Sequence, residues 1–268
     1  MLIVIGIVVL LILIYLLALS GRVGRPGLKA LRGWRYAHRG LHAEGRPENS
    51  MAAFRAALEG GYGIELDIHL LSDGELAVIH DSDLKRITGQ EGNVEDLTAA
   101  QLKDYHLADT QETIPLFSQV LELYQGKAPL IVELKTAKDN YAALCEAACK
   151  MLDDYRGSYC IESFDPRCLL WLKKHRPDII RGQLAENFLK EEEDAPWLLR
   201  FVLTYQLLNW LLRPDFVAYK FEDRKNLSNF LVRRLWKLQG VSWTLRSKRD
   251  RDTAEEEGYL PIFEGFIP

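Results

Sequence analysis

The chain opens on an uncharged apolar run over residues 2–20, in which Leu, Ile and Val dominate and no polar face interrupts the pattern. A bilayer core of roughly 30 Å takes about 20 apolar residues at 1.5 Å each. The run therefore predicts a transmembrane anchor over 1–21. Beyond it, short β-type runs alternate with helical patterns. Strands are predicted at 34–40, 62–71, 75–80, 129–136, 159–164, 179–185, 216–221 and 241–245. Helices are predicted at 51–59 (capped by Asn49 or Ser50), 116–124, 140–155, 166–175 and 227–238. Eight strands with helices between most of them, in one domain over 34–268, predict an α/β fold of the (β/α)8 TIM-barrel type. An open doubly wound sheet is the alternative, but no Gly-rich phosphate loop follows the first strand.

Charge sets the expected orientation. The first charged residue is Arg22, and Arg25, Lys29, Arg32, Arg35 and Arg39 follow before the first acid, Glu44. The positive-inside rule then places the N-terminus outside and the rest of the chain on the cytoplasmic side of a single-pass membrane protein. Residues 22–33 read as a basic juxtamembrane linker facing anionic lipid. A cleaved signal peptide, with Ala18 and Ser20 at the cleavage site, is the competing reading, but a basic segment ahead of the apolar run is missing. Residues 196–213 are apolar on most sides. They read either as a helix in the headgroup region, with Trp197, Tyr205 and Trp210 as anchors, or as an outer barrel helix. A lipid bilayer is the expected partner on the first reading. The formal charge of −4 excludes a basic field, so no nucleic-acid partner is expected. Cys145, Cys149, Cys160 and Cys168 form no CxxC pair and read as buried thiols. The pattern leaves the oligomeric state open.

Chemistry concentrates where the predicted strands end. His38, Arg39 and Gly40 close the first, Glu65 and Asp67 share one face of the second, His80 and Asp81 close the third, and Glu133 and Lys135 share one face of the fourth. A parallel strand covered on both faces has no solvated side for such groups. Three carboxylates converging inside a barrel call for a cation, and hard oxygen donors favour Mg2+ or Ca2+ over zinc. Imidazoles titrate near neutrality and suit proton transfer. Glu48 and Asn49 read as a turn and a helix cap. His69 shares the face of Asp67 but receives no role.

The ordered set His38-Arg39-Gly40, Pro47-Glu48-Asn49-Ser50, Glu65-Leu66-Asp67, Asp73-Gly74, His80-Asp81, Arg86-Ile87-Thr88-Gly89, Glu133-Leu134-Lys135, Ser163-Phe164 and Trp243-Thr244 resembles the glycerophosphodiester phosphodiesterase family over 34–245. The resemblance implies a metal-dependent barrel that hydrolyses glycerophosphodiesters to glycerol phosphate and an alcohol. It implies that Glu65, Asp67 and Glu133 hold the divalent metal. It further implies that His38 and His80 are the acid–base pair and that Arg39 and Lys135 hold the phosphate. Asp81 and Trp243 are expected to line the site. A glycerol 2-hydroxyl acting as first nucleophile, through a cyclic intermediate, is one route. Lysophospholipids are further candidate substrates. The alternatives are a related phospholipase-type lipid phosphodiesterase and a catalytically silent membrane-tethered barrel that binds lipid or protein. After Trp243-Thr244 the chain departs from the family's usual Gly-rich continuation, with Arg246-Ser247-Lys248-Arg249-Asp250 there and Phe263-Glu264-Gly265-Phe266-Ile267-Pro268 at the close.

Overall fold

The structure, a computed structural model, describes residues 1–190 and 195–268. α1 (Leu2–Ala18) and the one-turn α2 (Leu28–Leu31) precede β1 (Tyr36–His38), α3 (Met51–Glu59), β2 (Gly63–Leu70), β3 (Leu76–Val78), the short α4 (Lys85–Thr88), α5 (Phe117–Tyr124) and β4 (Leu130–Leu134). Then come α6 (Tyr141–Asp153), β5 (Tyr159–Ser163), α7 (Pro166–His175), β6 (Arg181–Ala185), α8 (Trp197–Thr204) and α9 (Asn209–Leu212). β7 (Phe216–Lys220), α10 (Leu227–Arg234), β8 (Gln239–Leu245), α11 (Lys248–Glu256) and β9 (Tyr259–Phe263) complete the chain.

β1, β2 and β4 to β9 pair in parallel, and β1 bonds to both β2 and β9, so eight strands close into a barrel. Side chains alternate between the two faces of each strand. Tyr36, Ile131, Cys160, Phe216, Val241 and Ile262 point inward into one buried cluster, which Leu28 and Leu31 of α2 close at one end. Their outward neighbours Ile64, Leu66, Val132 and Ile161 pack on Phe54 of α3, Leu144 of α6 and Leu172 of α7. Both faces are covered, which is why the strands read as unbroken apolar runs. The polar inward residues Glu65, Asp67, Glu133 and Glu162 begin level with this cluster and continue toward the C-terminal ends of the strands.

The barrel has eight strands, but not the predicted eight. The run at 75–80 contributes β3, which lies antiparallel on β2 and outside the barrel, with His69 opposite Ala77. Five residues, 71–75, with Gly74 at φ +89°, join them, and Leu71 N–H donates to Glu75 O at 2.9 Å. A parallel crossover needs a dozen or more residues, so so short a connection forces a hairpin. The eighth barrel strand is β9, from the segment read as a divergent tail. Trp243 consequently lies on the seventh barrel strand.

The anchor expectation is corrected. No helix among the described residues is long and apolar enough to cross a membrane. The single-pass topology and the cytoplasmic placement that followed from it are therefore withdrawn. The physical reason lies at the end of the run. α1 has 17 residues, and the residues that would extend it belong to the barrel wall. Leu19 is buried with Ala185, Val217, Tyr219 and Val232, while Tyr15 bonds to Ser228 at 2.8 Å and the Trp236 indole donates to Leu16 O at 2.9 Å. The basic stretch after it is also engaged. Arg22 pairs with buried Asp215 and donates to Pro177 O at 2.5 Å, and Arg25 donates to Asp178 O at 2.9 Å. The apolar segment at 196–213 folds as α8 and α9, two short helices between β6 and β7.

Candidate active site

The C-terminal ends of β1, β2, β4 and β9 bring the sequence-predicted groups together. In β2, Glu65 and Asp67 face inward by strand parity, and Asp67 sits level with Glu133 of β4. Carboxylate oxygens of Glu65, Asp67 and Glu133 lie within 4.8 Å of one another, and all three residues are buried. Lys135, two residues beyond Glu133 on the same face, sets its Nζ 2.7 Å from Glu133 Oε1 and 3.1 Å from Asp67 Oδ1. Arg39 enters from the turn after β1 in a left-handed conformation (φ 54°). Its Nε is 3.5 Å from Asp67 Oδ2, its backbone N–H donates to Glu65 Oε2 at 3.2 Å, and its Nη1 donates to Glu48 Oε1 at 2.9 Å.

Each predicted catalytic imidazole is held through Nδ1 by its own carboxylate. His38 Nδ1 is 2.6 Å from Glu264 Oε2, and His80 Nδ1 is 2.6 Å from Asp81 Oδ1. The bond to His38 pulls the Glu264 carboxyl down to about 2. Asp81 also lies below the usual range: burial opposes this, but its bonds to Arg86 and His80 prevail. Ionised carboxylates only accept, so each Nδ1 carries the proton and each Nε2 presents a lone pair. Burial lowers both imidazoles, His80 to about 4, which favours these neutral forms. His38 Nε2 lies 3.9 Å from Glu65 Oε2, which places it at the edge of the carboxylate group.

Several residues here carry more than their sequence reading. Ser50 alone caps α3, accepting from Ala53 N–H at 3.1 Å. Asn49 instead takes a left-handed conformation (φ 53°) and donates from Nδ2 to Asp67 Oδ2 at 2.9 Å. Glu48 bridges Arg39 and Arg86, with Arg86 Nη2 at 2.6 Å. His69 is buried between Glu95 Oε1, 2.6 Å from its Nδ1, and the backbone oxygen of His80, 3.1 Å from its Nε2, and so ties the segment carrying His80 to β2. Glu162 of β5, level with Glu133, is 1% exposed, and its Oε2 lacks a hydrogen-bond partner. Strand parity with Cys160 would have found Glu162. Only tertiary closure brings Glu264 to His38. Trp243 stacks edge-on against Phe164 (centroids 5.6 Å apart) and donates its indole N–H to Ala218 O at 3.1 Å.

The donor set fits a divalent cation. Four buried carboxylates, Glu65, Asp67, Glu133 and Glu162, meet two cations, Arg39 and Lys135, which leaves two negative charges unbalanced in a dry interior. The strain shows in their protonation. Burial and then the neighbouring carboxylates hold Glu65 well above the usual range, burial lifts Glu133 to about 7, and burial followed by Glu133 lifts Glu162. Asp67 moves the other way. Burial would raise it too, but Lys135, His80 and Arg39 outweigh that and keep it ionised.

A closed parallel barrel with acids, bases and two imidazoles at the C-terminal mouth is the architecture of a barrel hydrolase. The model of the glycerophosphoryl diester phosphodiesterase family matches residues 38–264. The chain belongs to that family and is a phosphoric diester hydrolase. It is 36% identical over 169 residues to a glycerophosphodiester phosphodiesterase of Bacillus altitudinis, covering 59% of this chain and 69% of the relative. It is 32% identical over 133 residues to a lysophospholipase D of Rattus norvegicus, covering 45% of this chain and 41% of that protein. Its fold is similar to a phosphodiesterase of Oleispira antarctica solved with the product sn-glycerol-3-phosphate, at a TM-score of 0.71 and 21% identity over 86% of this chain and 92% of the other.

Proposed function

We propose that the chain hydrolyses glycerophosphodiesters to glycerol phosphate and an alcohol at the mouth ringed by β1, β2, β4 and β9. The observation that carries this reading is the pair of imidazoles, each fixed through Nδ1 by a carboxylate, beside a buried three-carboxylate group. Glu65, Asp67 and Glu133 would hold Mg2+ or Ca2+, which when bound neutralises charge on the phosphoryl oxygens. Lys135, ion-paired with Glu133 and Asp67, would set its ammonium group against a non-bridging oxygen. Arg39, held by Glu48 and Asp67, brings its planar guanidinium to the same side. One imidazole Nε2 takes the proton of the attacking oxygen as it bonds to phosphorus; where that oxygen is the substrate's 2-hydroxyl, water then adds to phosphorus and breaks the ring P–O bond, giving glycerol phosphate. The other imidazole, neutral at rest, first takes a proton from solvent at Nε2 and then gives it to the departing alkoxide as the P–O bond to the leaving group breaks. Glu264 and Asp81 keep both rings turned for this exchange.

Lysophospholipids are a second substrate class on this reading. Phe164 meets both Trp243 and Phe188 edge-on, at 5.6 and 5.9 Å, and its ring lies 6.0 Å from Lys135 Nζ. That aromatic wall beside the phosphate position suits an apolar portion of the substrate, and the similar rat protein carries a lysophospholipase name.

The test is turnover of glycerophosphocholine, glycerophosphoethanolamine and a lysophospholipid by the purified protein, with and without chelator. Turnover that stops with chelator and returns with Mg2+ or Ca2+ is expected. Chelator-insensitive turnover overturns the metal assignment, and failure on all three substrates overturns the proposal.

A further inference from the structure

A second feature lies on the outer wall of the barrel, with its polar end where β7 begins. A groove passes between the last turns of α1 and α9, walled by Ile14, Leu17, Ala18 and Trp210 and ending at Ser20 and Arg213. Arg213 Nη1 donates to Ser20 Oγ at 3.3 Å, which fixes the guanidinium at the groove's end. Beside it lies a buried cationic group. Arg181 is 1% exposed, donates from Nε to Leu212 O at 3.2 Å, and leaves Nη1 without a partner. Arg22, Arg25 and Arg213 all act on Arg181, which Asp215 opposes, and Asp178 faces Arg25. Asp215 is itself occupied, by the Arg22 guanidinium and by the Arg181 backbone N–H at 3.0 Å. Positive charge is thus in excess near the polar end of an apolar groove, and behind it the buried Arg181 keeps an unsatisfied N–H.

We propose that this groove binds a single-chain anionic amphiphile, its hydrocarbon tail along Ile14, Leu17 and Trp210 and its anionic head on Arg213 and Ser20. Arg181, buried beside Leu212 with Nη1 unpartnered, adds positive charge behind Arg213. Polarity selects this occupant. A peptide would leave its backbone groups unbonded along the apolar wall, and a neutral oil would leave the arginines unanswered. The site is independent of the hydrolytic chemistry, which occupies the other end of the strands.

The experiment is calorimetric titration of the full chain with decyl phosphate below its aggregation threshold, and with decanol and inorganic phosphate in parallel. Decyl phosphate is expected to bind at least tenfold tighter than either. R213Q is expected to weaken it at least tenfold, with glycerophosphodiester turnover unchanged, and R213K to restore most of the binding. An excess of glycerol phosphate, which would occupy the mouth, is expected to leave binding intact. Equal binding of decanol would reduce the groove to a sticky surface and overturn the proposal. Equally tight inorganic phosphate would make it a free-anion site, with the same consequence. Displacement by glycerol phosphate, or full-strength binding by a folded R213Q, also overturns it.

Discussion

His38 and Glu264 stand 226 residues apart in sequence, yet His38 Nδ1 and Glu264 Oε2 meet at 2.6 Å, joining the first barrel strand to the end of the last. Closure of the barrel through the pairing of β1 with β9 creates this contact, so ring orientation at the site depends on the fold's final seam. Asp81 gives His80 the same support from the adjacent residue. The two imidazoles are alike in chemistry and opposite in how their partners arrive.

Replacing Glu264 by Gln removes the charge but keeps the shape. Positioning partners of this kind are worth about 10–100-fold in activity. E264Q is expected to lower kcat within that range with KM nearly unchanged, and E264D to recover part of the loss. Steady-state kinetics checks this. An unchanged kcat would show that the contact merely packs the strand end.

His38→Ala and His80→Ala should each cost about 10²–10⁴-fold in kcat on a diester with an alkyl leaving group. A p-nitrophenyl leaving group departs without a proton. The variant that has lost the general acid should therefore recover most of its rate on such a substrate, and the one that has lost the base should not. Comparing the two substrates assigns the roles, and equal recovery of both variants would argue against a divided acid–base pair.

The carboxylate excess predicts that the metal-free protein is stabilised by neutralising one acid. E162Q removes the buried charge level with Glu133, and each pKa unit of relieved repulsion corresponds to about 1.4 kcal/mol. Thermal melts in chelator are expected to show E162Q above the parent chain. Added Mg2+ or Ca2+ should raise the melting temperature of the parent more than that of E162Q. A lower melting temperature for E162Q in chelator would mean that Glu162 is satisfied in some other way.

Arg22 tests how firmly the N-terminal segment is bound to the barrel. Its side chain meets a fully buried Asp215, and R22A leaves that carboxylate with only the Arg181 backbone donor. Breaking a buried pair costs about 3 kcal/mol or more. Urea unfolding should show a loss of that order. A change below about 0.5 kcal/mol, the usual size for a surface substitution, would mean that the contact is dispensable.

Much of the site was legible because strand parity is local. Glu65 and Asp67, or Glu133 and Lys135, two residues apart, must share a face wherever the strand goes. The third predicted strand was harder to place, because four apolar residues, Leu76 to Ile79, look the same in a barrel and in a hairpin. The short turn at Asp73-Gly74 held the answer. β9 was hidden for a different reason. Pro261 within it weakens the strand pattern, and proline is tolerated there because the neighbouring register shifts between Ser242 and Leu245. Losing β9 from the prediction also lost Glu264.

The sequence by itself determined the barrel class, the inward-facing acids and bases, and the two imidazoles, because periodicity and short motifs act over a few residues. Tertiary structure decided what depends on distant segments meeting: which strands close the ring, that Glu264 holds His38, and that four carboxylates face two cations. It also decided the fate of the N-terminal apolar run, whose final turn and following arginines are bound to the barrel wall. Burial and pairing of that kind follow from where the chain returns in space, and no local pattern records it.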